Sequence, residues 1–268
     1  MAGSVPNLNE SKNNHPSYIE HSTIGLVSMI VPVLQLHRDW NWRYRLRKPY
    51  NLPDLLEDMK SVTIPHETIV VCNSLEKKLM KYIASSSLID KYCFNSVNVG
   101  VARAWNMGAM LAEGEYLCFS NDDVELGKGA LEKLVEVLAS REDIGQVGPS
   151  GGKYRGAFSQ EKVGLDATEE ADEISGFFFV LRRKVYDLAG GFDVAFTPGG
   201  YEETDMSFKI GLLGYKCLVV PHLNIIHHNE SGVSNLLNKH IKYFKQGISV
   251  KNLNIKNIAL FQKKWFGR

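Results

Sequence analysis

EYLCFSNDDVE, residues Glu115 to Glu125, sets an apolar run directly against three consecutive polar residues. Tyr116 to Phe119 have the character of a buried strand, and Asn121, Asp122 and Asp123 stand at its carboxyl end. Parallel α/β sheets present their ligand crevice at the carboxyl ends of the strands, so these side chains offer oxygen ligands where a ligand would sit. The same three residues are equally good turn formers or an N-cap for a following helix. Alone, the stretch leaves both readings open.

Working outward, GVARAWNMGAMLAEG (100–114) is helical in pattern, with Gly114 as the expected C-cap. Further upstream, GLVSMIVPV (25–33) and ETIVVCNS (67–74) are short β-branched runs that end in turn formers, and a short amphipathic helix is expected around Pro53 to Lys60. Downstream, GALEKLVEVLAS (129–140) carries Leu131, Leu134, Val135 and Leu138 on one helical face. From Gly145 to Glu173 the pattern weakens and loops are expected. ISGFFFVLRR (174–183) then predicts a strand, RKVYDLAGGF (183–192) a helix ending in a Gly pair, YEETDMSFKIGLLG (201–214) a helix, and YKCLVVP (215–221) a strand running toward IIHHNE. This alternation predicts an α/β domain built on a mainly parallel sheet flanked by helices. The expected layout is a polar leader (1–22), one domain (23–234) with halves meeting near residue 125, and a basic helical tail (235–268) anchored by Trp265 and Phe266.

Composition excludes several classes. The 268 residues carry 31 Lys plus Arg against 30 Asp plus Glu, a net charge of +1, so no global field recruits nucleic acid or an anionic membrane. Cys72, Cys93, Cys118 and Cys217 are far apart, lack metal-ligand spacing and read as reduced core residues of a cytoplasmic protein. The longest apolar stretch, Ile24 to Leu36, is too short to span a bilayer. Interleaved Trp, Tyr and Arg from Trp40 to Lys48 suit a surface loop, a glycan, a lipid-linked diphosphate or peripheral contact with the inner face of a membrane. Neither GxxxxGK[ST] nor a strand followed by GxGxxG occurs, so a bound nucleotide would need another device.

Six fragments, in order, resemble the landmarks of the family 2 (GT-A fold) glycosyltransferases, especially the rhamnosyltransferase-like branch. They are VSMIVPV, IVVCNS, NVGVARAWNMGAMLAEGEYLCFSNDDV, SGFFFVLRRKVYDLAGGFD, YEETDMSFKIGLLGY and IIHHNESGVS, spanning about Ile24 to His228. The resemblance implies inverting transfer of a hexosyl or deoxyhexosyl unit from a nucleotide-diphospho-sugar donor to a hydroxyl of a glycan, a lipid-linked acceptor or a small molecule. Polysaccharide biosynthesis is the implied setting. A divalent metal, Mn²⁺ or Mg²⁺, is the implied cofactor, with Asn121 to Asp123 at the family's DxD position.

Under that resemblance Asp123 is a metal ligand, Asp122 lies near the ribose or the metal's waters, and Asn121 replaces the usual first Asp. A strand-end histidine completes the metal shell. The doublet His227 and His228 supplies it, with His227 favoured by alignment on Ile225 and Ile226 and only one of the pair able to face the site. YEETD occupies the place of the family's EDxD, which makes Glu203 the base that deprotonates the acceptor, with Glu202 and Asp205 orienting the acceptor or capping the helix. Pro32, Val33, Asn73, Ser74, Asn98, Gly100, Arg103 and Asn106 fall where the family holds the nucleotide, and Asp193 near the acceptor. Cys72 stands where an Asp often contacts a pyrimidine. A nucleotidyltransferase and a non-catalytic sugar-nucleotide-binding relative are the alternatives.

Overall fold

The computed structural model describes residues 22–37, 49–156, 160–228 and 240–267. The polar leader up to residue 21 and the Trp40 to Lys48 segment lie outside the described residues.

In chain order the elements are β1 (Thr23–Val33), α1 (Leu52–Met59), β2 (His66–Cys72), α2 (Lys77–Ser85), β3 (Lys91–Phe94), α3 (Val101–Leu111), β4 (Gly114–Ser120), β5 (Val124–Leu126) and α4 (Ala130–Ala139). The second half continues with β6 (Ile144–Gly148), β7 (Gly151–Tyr154), β8 (Gln160–Lys162), β9 (Glu169–Ala171), β10 (Glu173–Ile174), β11 (Phe178–Arg182), α5 (Arg183–Ala189), α6 (Glu202–Leu212), β12 (Lys216–Val219) and β13 (Ile225–His227). A hairpin, β14 (His240–Tyr243) and β15 (Gln246–Ser249), precedes the last helix, α7 (Val250–Phe266). Among the described residues no helix is long and apolar enough to cross a membrane.

Eight strands form the central sheet in the order β3-β2-β1-β4-β11-β6-β12-β9. β3, β2, β1 and β4 run parallel, β11 is antiparallel to both β4 and β6, and β12 is again parallel to β6. Strand alternation divides the core. Met29 and Val31 join α1, α2 and α4 on one face, where Leu55, Leu56, Leu79, Leu131 and Leu134 pack. Ile30, Leu117 and Phe119 join α3, α5 and α6 on the other, around Trp105, Met206 and Ile210. The result is three layers with the expected mainly parallel sheet in the middle.

α5 ends at Gly190 (φ 73°) as expected, whereas the C-terminus of α3 is closed differently from the sequence expectation. Gly114 opens β4 instead of capping α3, because it lies against β1, where an added Cβ would fall 2.6 Å from Leu26 O. The cap comes from Arg183, whose guanidinium donates to Ala112 O (2.8 Å) and Gly114 O (2.8 Å). Its neighbour Arg182 donates to Leu138 O (2.6 Å) and Ile144 O (3.0 Å), closing α4 on the opposite face. Adjacent arginines at a strand end thus satisfy orphan carbonyls on both sides of the sheet.

The segment from Gly145 to Glu173 is not loop. It contains β6 to β10, of which β10, β7 and β8 form a separate three-stranded sheet. The C-terminal segment likewise holds a hairpin besides the expected helix, and α7 packs back against α6 through Phe261, Trp265 and Phe208.

Candidate active site

β4 ends at Ser120, and the backbone N–H of Asn121 donates to Phe177 O at 2.8 Å. β5 then pairs antiparallel with β13, in a register that places His227 opposite Val124. This pairing brings two distant motifs together. Asp123, 1% exposed, has Oδ1 3.2 Å from His227 Nε2, and Asn121 Nδ2 lies 3.3 Å from the same nitrogen. His227 stacks on the Phe177 ring with centroids 4.8 Å apart and planes 5° from parallel.

His228 points the other way, as strand alternation requires. Its Nε2 meets Glu125 Oε2 at 3.0 Å and its ring stacks on Tyr50 at 4.7 Å, so geometry assigns only His227 to Asp123. Among the described residues no three His, Cys, Asp or Glu side chains gather as a metal-binding group. The structure brings together the expected pair of one carboxylate and one imidazole, Asp123 and His227, with Asp122, 8% exposed, next in the chain.

The second carboxylate group lies on α6. Tyr201 takes a left-handed conformation (φ 76°) at its N-cap, and Glu202 and Glu203 form its first turn. Glu203 lies against Gly176, where an added Cβ would fall 2.8 Å from Glu203 Cγ, so only glycine allows this approach. Glu202 is 5% exposed, and its Oε2 has no hydrogen-bond partner among the described residues. Burial drives the Glu202 carboxyl well above the usual carboxylate range, helped by the charge of Glu203, and burial raises Glu203 as well. Glu173, also buried, is pushed up to about 8 by burial and by Glu203.

Gly176 and Phe177 are consecutive. One touches Glu203 and the other stacks on His227, so the turn before β11 brings the two groups to the same edge of the sheet.

Several expected nucleotide-binding side chains are occupied within the protein. Asn106 Oδ1 accepts from Tyr186 Oη (2.8 Å) and Phe192 N–H (2.9 Å) while its Nδ2 donates to Phe192 O (2.9 Å), so it pins the turn after α5. Asn73, 4% exposed, accepts from Asn95 Nδ2 at 2.9 Å, and Ser74 Oγ caps the following turn at Glu76 N–H. Asn98 Oδ1 accepts from Gly100 N–H and its Nδ2 donates to Lys242 O. Arg103 donates to Thr197 Oγ1 (2.8 Å) and Tyr243 Oη (2.5 Å), beneath the β14–β15 hairpin. Gly100 (φ 86°) allows close contact with Thr197 and Pro198. Pro32 and Val33 end β1 beside Val71 and Cys72. Cys72 is fully buried, its thiol donating to Ser74 O.

Asp205 departs furthest from its expected role. It is fully buried, accepts from Trp265 Nε1 at 2.8 Å and pairs with Lys264 at 2.8 Å, which makes it an anchor for α7. Asp193 pairs with the same lysine at 2.7 Å. Phe177, Gly176 and Glu173 carry parts of this site that the sequence reading missed. A glycine directly before three phenylalanines was the one visible signal.

A match to the domain described as Glycosyl transferase family 2 covers residues 48–194, more than half of the chain, and includes Asn121 to Asp123 but neither Glu203 nor His227. Polypeptide N-acetylgalactosaminyltransferase 8 of Drosophila melanogaster is 26% identical over 195 residues, 63% of this chain and 32% of that protein. The chain thus spans about a third of this curated relative. Among solved structures, GalNAc-T7 with UDP, GalNAc and Mn²⁺ superposes with a TM-score of 0.60 at 19% identity, covering 75% of this chain and 43% of that one. The mannosyltransferase PcManGT of Pyrobaculum calidifontis, in complex with GDP-Man and Mn²⁺, gives 0.53 at 18% identity, covering 73% and 54%. S. aureus TarS gives 0.52 at 16% identity, covering 73% and 35%. At these identities the structural likeness speaks for the fold, which is that of the GT-A glycosyltransferases. On the extent of the family match, the chain belongs to glycosyl transferase family 2.

Proposed function

We propose that this protein transfers a sugar, with inversion, from a nucleotide-diphospho-sugar donor to a hydroxyl acceptor. The observation that carries the reading is the approach of Asp123 with His227 and of Glu203 to the consecutive residues Phe177 and Gly176. Transfer with inversion needs one group at the leaving diphosphate and another on the opposite face of the sugar, and two clusters separated by a two-residue turn suit that division.

On the acceptor side, Glu203 takes the hydroxyl proton as the acceptor oxygen bonds to the anomeric carbon. The bond from that carbon to the diphosphate oxygen breaks, and the electron pair leaves with the nucleoside diphosphate. A carboxyl raised by burial is a stronger base than an exposed one, provided it is ionised at the working pH. Glu202, buried beside it with one oxygen unpartnered, favours a single negative charge on the pair, as two close carboxylates in a dry site do.

On the donor side, Asp123 and His227 would hold a divalent cation. Their donor set, one carboxylate oxygen and one imidazole nitrogen 3.2 Å apart, fits such an ion and suits Mn²⁺ better than Mg²⁺. When bound, the ion supplies charge neutralisation for the departing diphosphate. Asn121 Nδ2 lies against the same Nε2 and would give up that contact when the nitrogen ligates an ion, so the Phe177 stack is what orients the imidazole.

The GalNAc-T7 and PcManGT complexes contain UDP or GDP-Man together with Mn²⁺, which supports UDP- and GDP-sugars as the first donors to test. Asp123→Ala is expected to abolish Mn²⁺-dependent release of nucleoside diphosphate from UDP-GalNAc or GDP-mannose without lowering the melting temperature by more than a few degrees. Unchanged turnover in that variant would refute the assignment. Donor binding without turnover in the wild type would favour the non-catalytic alternative, and release of pyrophosphate the nucleotidyltransferase.

A further inference from the structure

We propose that the C-terminal helix α7 is a positioning clamp for the acceptor-side carboxylates, with Asn257 as its principal positioning residue. The inference rests on the reading of Glu203 as the base. Asn257 is 1% exposed, and its Nδ2 donates to three backbone carbonyls, Phe196 O (2.7 Å), Gly199 O (3.1 Å) and Gly200 O (3.0 Å). Those carbonyls belong to the segment that enters α6. The next residues are Tyr201, in its left-handed conformation, then Glu202 and Glu203.

A second grip lies just beyond the pair. Trp265 Nε1 and Lys264 Nζ both meet Asp205 Oδ1 at 2.8 Å, and Lys264 also bridges to Asp193 Oδ2 at 2.7 Å. Asp205 lies three residues, just under one helical turn, beyond Glu202, so α7 fixes the chain immediately before and shortly after the two glutamates. The segment held by the first grip contains Gly199 and Gly200, the latter at φ 99°, and has little conformational preference of its own. Tyr201, at the N-cap, makes no side-chain capping bond to α6, so the entry to the helix is held by contacts from outside it. Fixing this turn from outside is what holds Glu203 against Gly176.

The clamp makes a testable separation between donor binding and turnover. In Asn257→Ala, hydrogen–deuterium exchange across residues 196–204 should rise at least tenfold while β1, β2 and β4 stay protected. Release of nucleoside diphosphate from UDP-GalNAc or GDP-mannose should fall at least tenfold in kcat, with KM for the donor within twofold of wild type. The acid limb of the pH profile should move down, since a loosened turn lets water reach Glu203. Trp265→Phe removes one donor to Asp205 and should show the same pattern more weakly, which covers the case in which Asn257→Ala fails to fold. Unchanged exchange over 196–204 in either folded variant overturns the clamp, as does a kcat within twofold of wild type with an unmoved acid limb. Glu203→Gln run in parallel separates the two ideas. An active Glu203→Gln overturns the base, whereas an inactive Glu203→Gln beside a fully active Asn257→Ala overturns the clamp alone.

Discussion

The two halves of the site hold their charged groups by opposite means. On the donor side Asp123 is buried but has an imidazole nitrogen 3.2 Å away, and that imidazole is braced by Phe177 and Asn121. On the acceptor side Glu202, Glu203 and Glu173 crowd together without an ion-paired Lys or Arg among the described residues, and burial pushes all three carboxyls upward. On the proposed reading, the first arrangement suits a group that receives positive charge and the second a group that gives up or takes a proton. A protein that used both carboxylate groups for the same purpose would have no reason to desolvate one and pair the other.

The contrast breaks most sharply at Glu203. Glu203→Gln keeps the shape and removes the base, so turnover of a UDP- or GDP-sugar should fall by about 10²–10⁴-fold, the usual contribution of a positioned proton acceptor. Donor affinity, read by thermal shift with the nucleotide and Mn²⁺, should stay within about threefold, because the donor half lies on the other side of Phe177. A parallel loss of affinity would mean that the halves are one site.

Glu173 gives a smaller effect on stability. Its carboxyl titrates at about 8 in the folded protein against an ordinary value of 4.5, so the folded state holds the proton more tightly than the unfolded chain. Its favourable contribution is complete below the unfolded pKa and is lost as pH rises toward and through 8. Glu173→Gln removes the ionisable group and should stabilise the protein at pH 9 by up to about 5 kcal/mol relative to wild type, with the difference closing near pH 4. Urea denaturation at the two pH values measures it. Adding Glu203→Gln should shrink the difference, because the charge of Glu203 is part of what raises Glu173.

The donor half was the more legible in the sequence, for a physical reason. β1, β2 and β4 are buried on both faces, so they appear as apolar runs with their tips marked by Asn73 or by Asn121 to Asp123. β6, with the sequence IGQVG, is just as buried but is packed through glycine. An added Cβ at Gly145 would meet Ile210 at 2.8 Å and one at Gly148 would meet Ile174 at 2.3 Å, so the strand shows no apolar run and reads as loop. The direction of β11 was also hidden, since FFVLR is apolar on both faces whichever way it runs.

Side-chain roles divide in the same way. Asp123 with His227 emerged from resemblance plus strand alternation, and the fold brings them together. Asn106, Asn73 and Arg103 carried the right chemistry at the right distance along the chain, but their partners are Phe192, Asn95 and Tyr243. Local sequence does not encode which of two polar partners wins, because the competing contact comes from an element up to 140 residues away. Asn257 is the extreme case, a lone amide in a basic helix whose partners are three carbonyls about sixty residues earlier.

The histidine doublet offers the finest test of the comparison. His227, the last residue of β13, and His228, the next in the chain, are chemically identical neighbours that point to opposite sides, one toward Asp123 and the other toward Glu125 and Tyr50. If the donor half holds a cation, His227→Ala removes one of two protein donors and should weaken Mn²⁺, titrated in the presence of UDP and followed by thermal shift, by about tenfold, comparable with the loss of a supporting partner at a metal site. His228→Ala should leave that affinity within about twofold and lower the melting temperature by a few degrees through loss of the Tyr50 stack, a contact worth about 1 kcal/mol. Equal effects of the two variants on Mn²⁺ would show that strand alternation does not govern this edge. The contrast between a paired donor half and a desolvated acceptor half would then lose its structural basis.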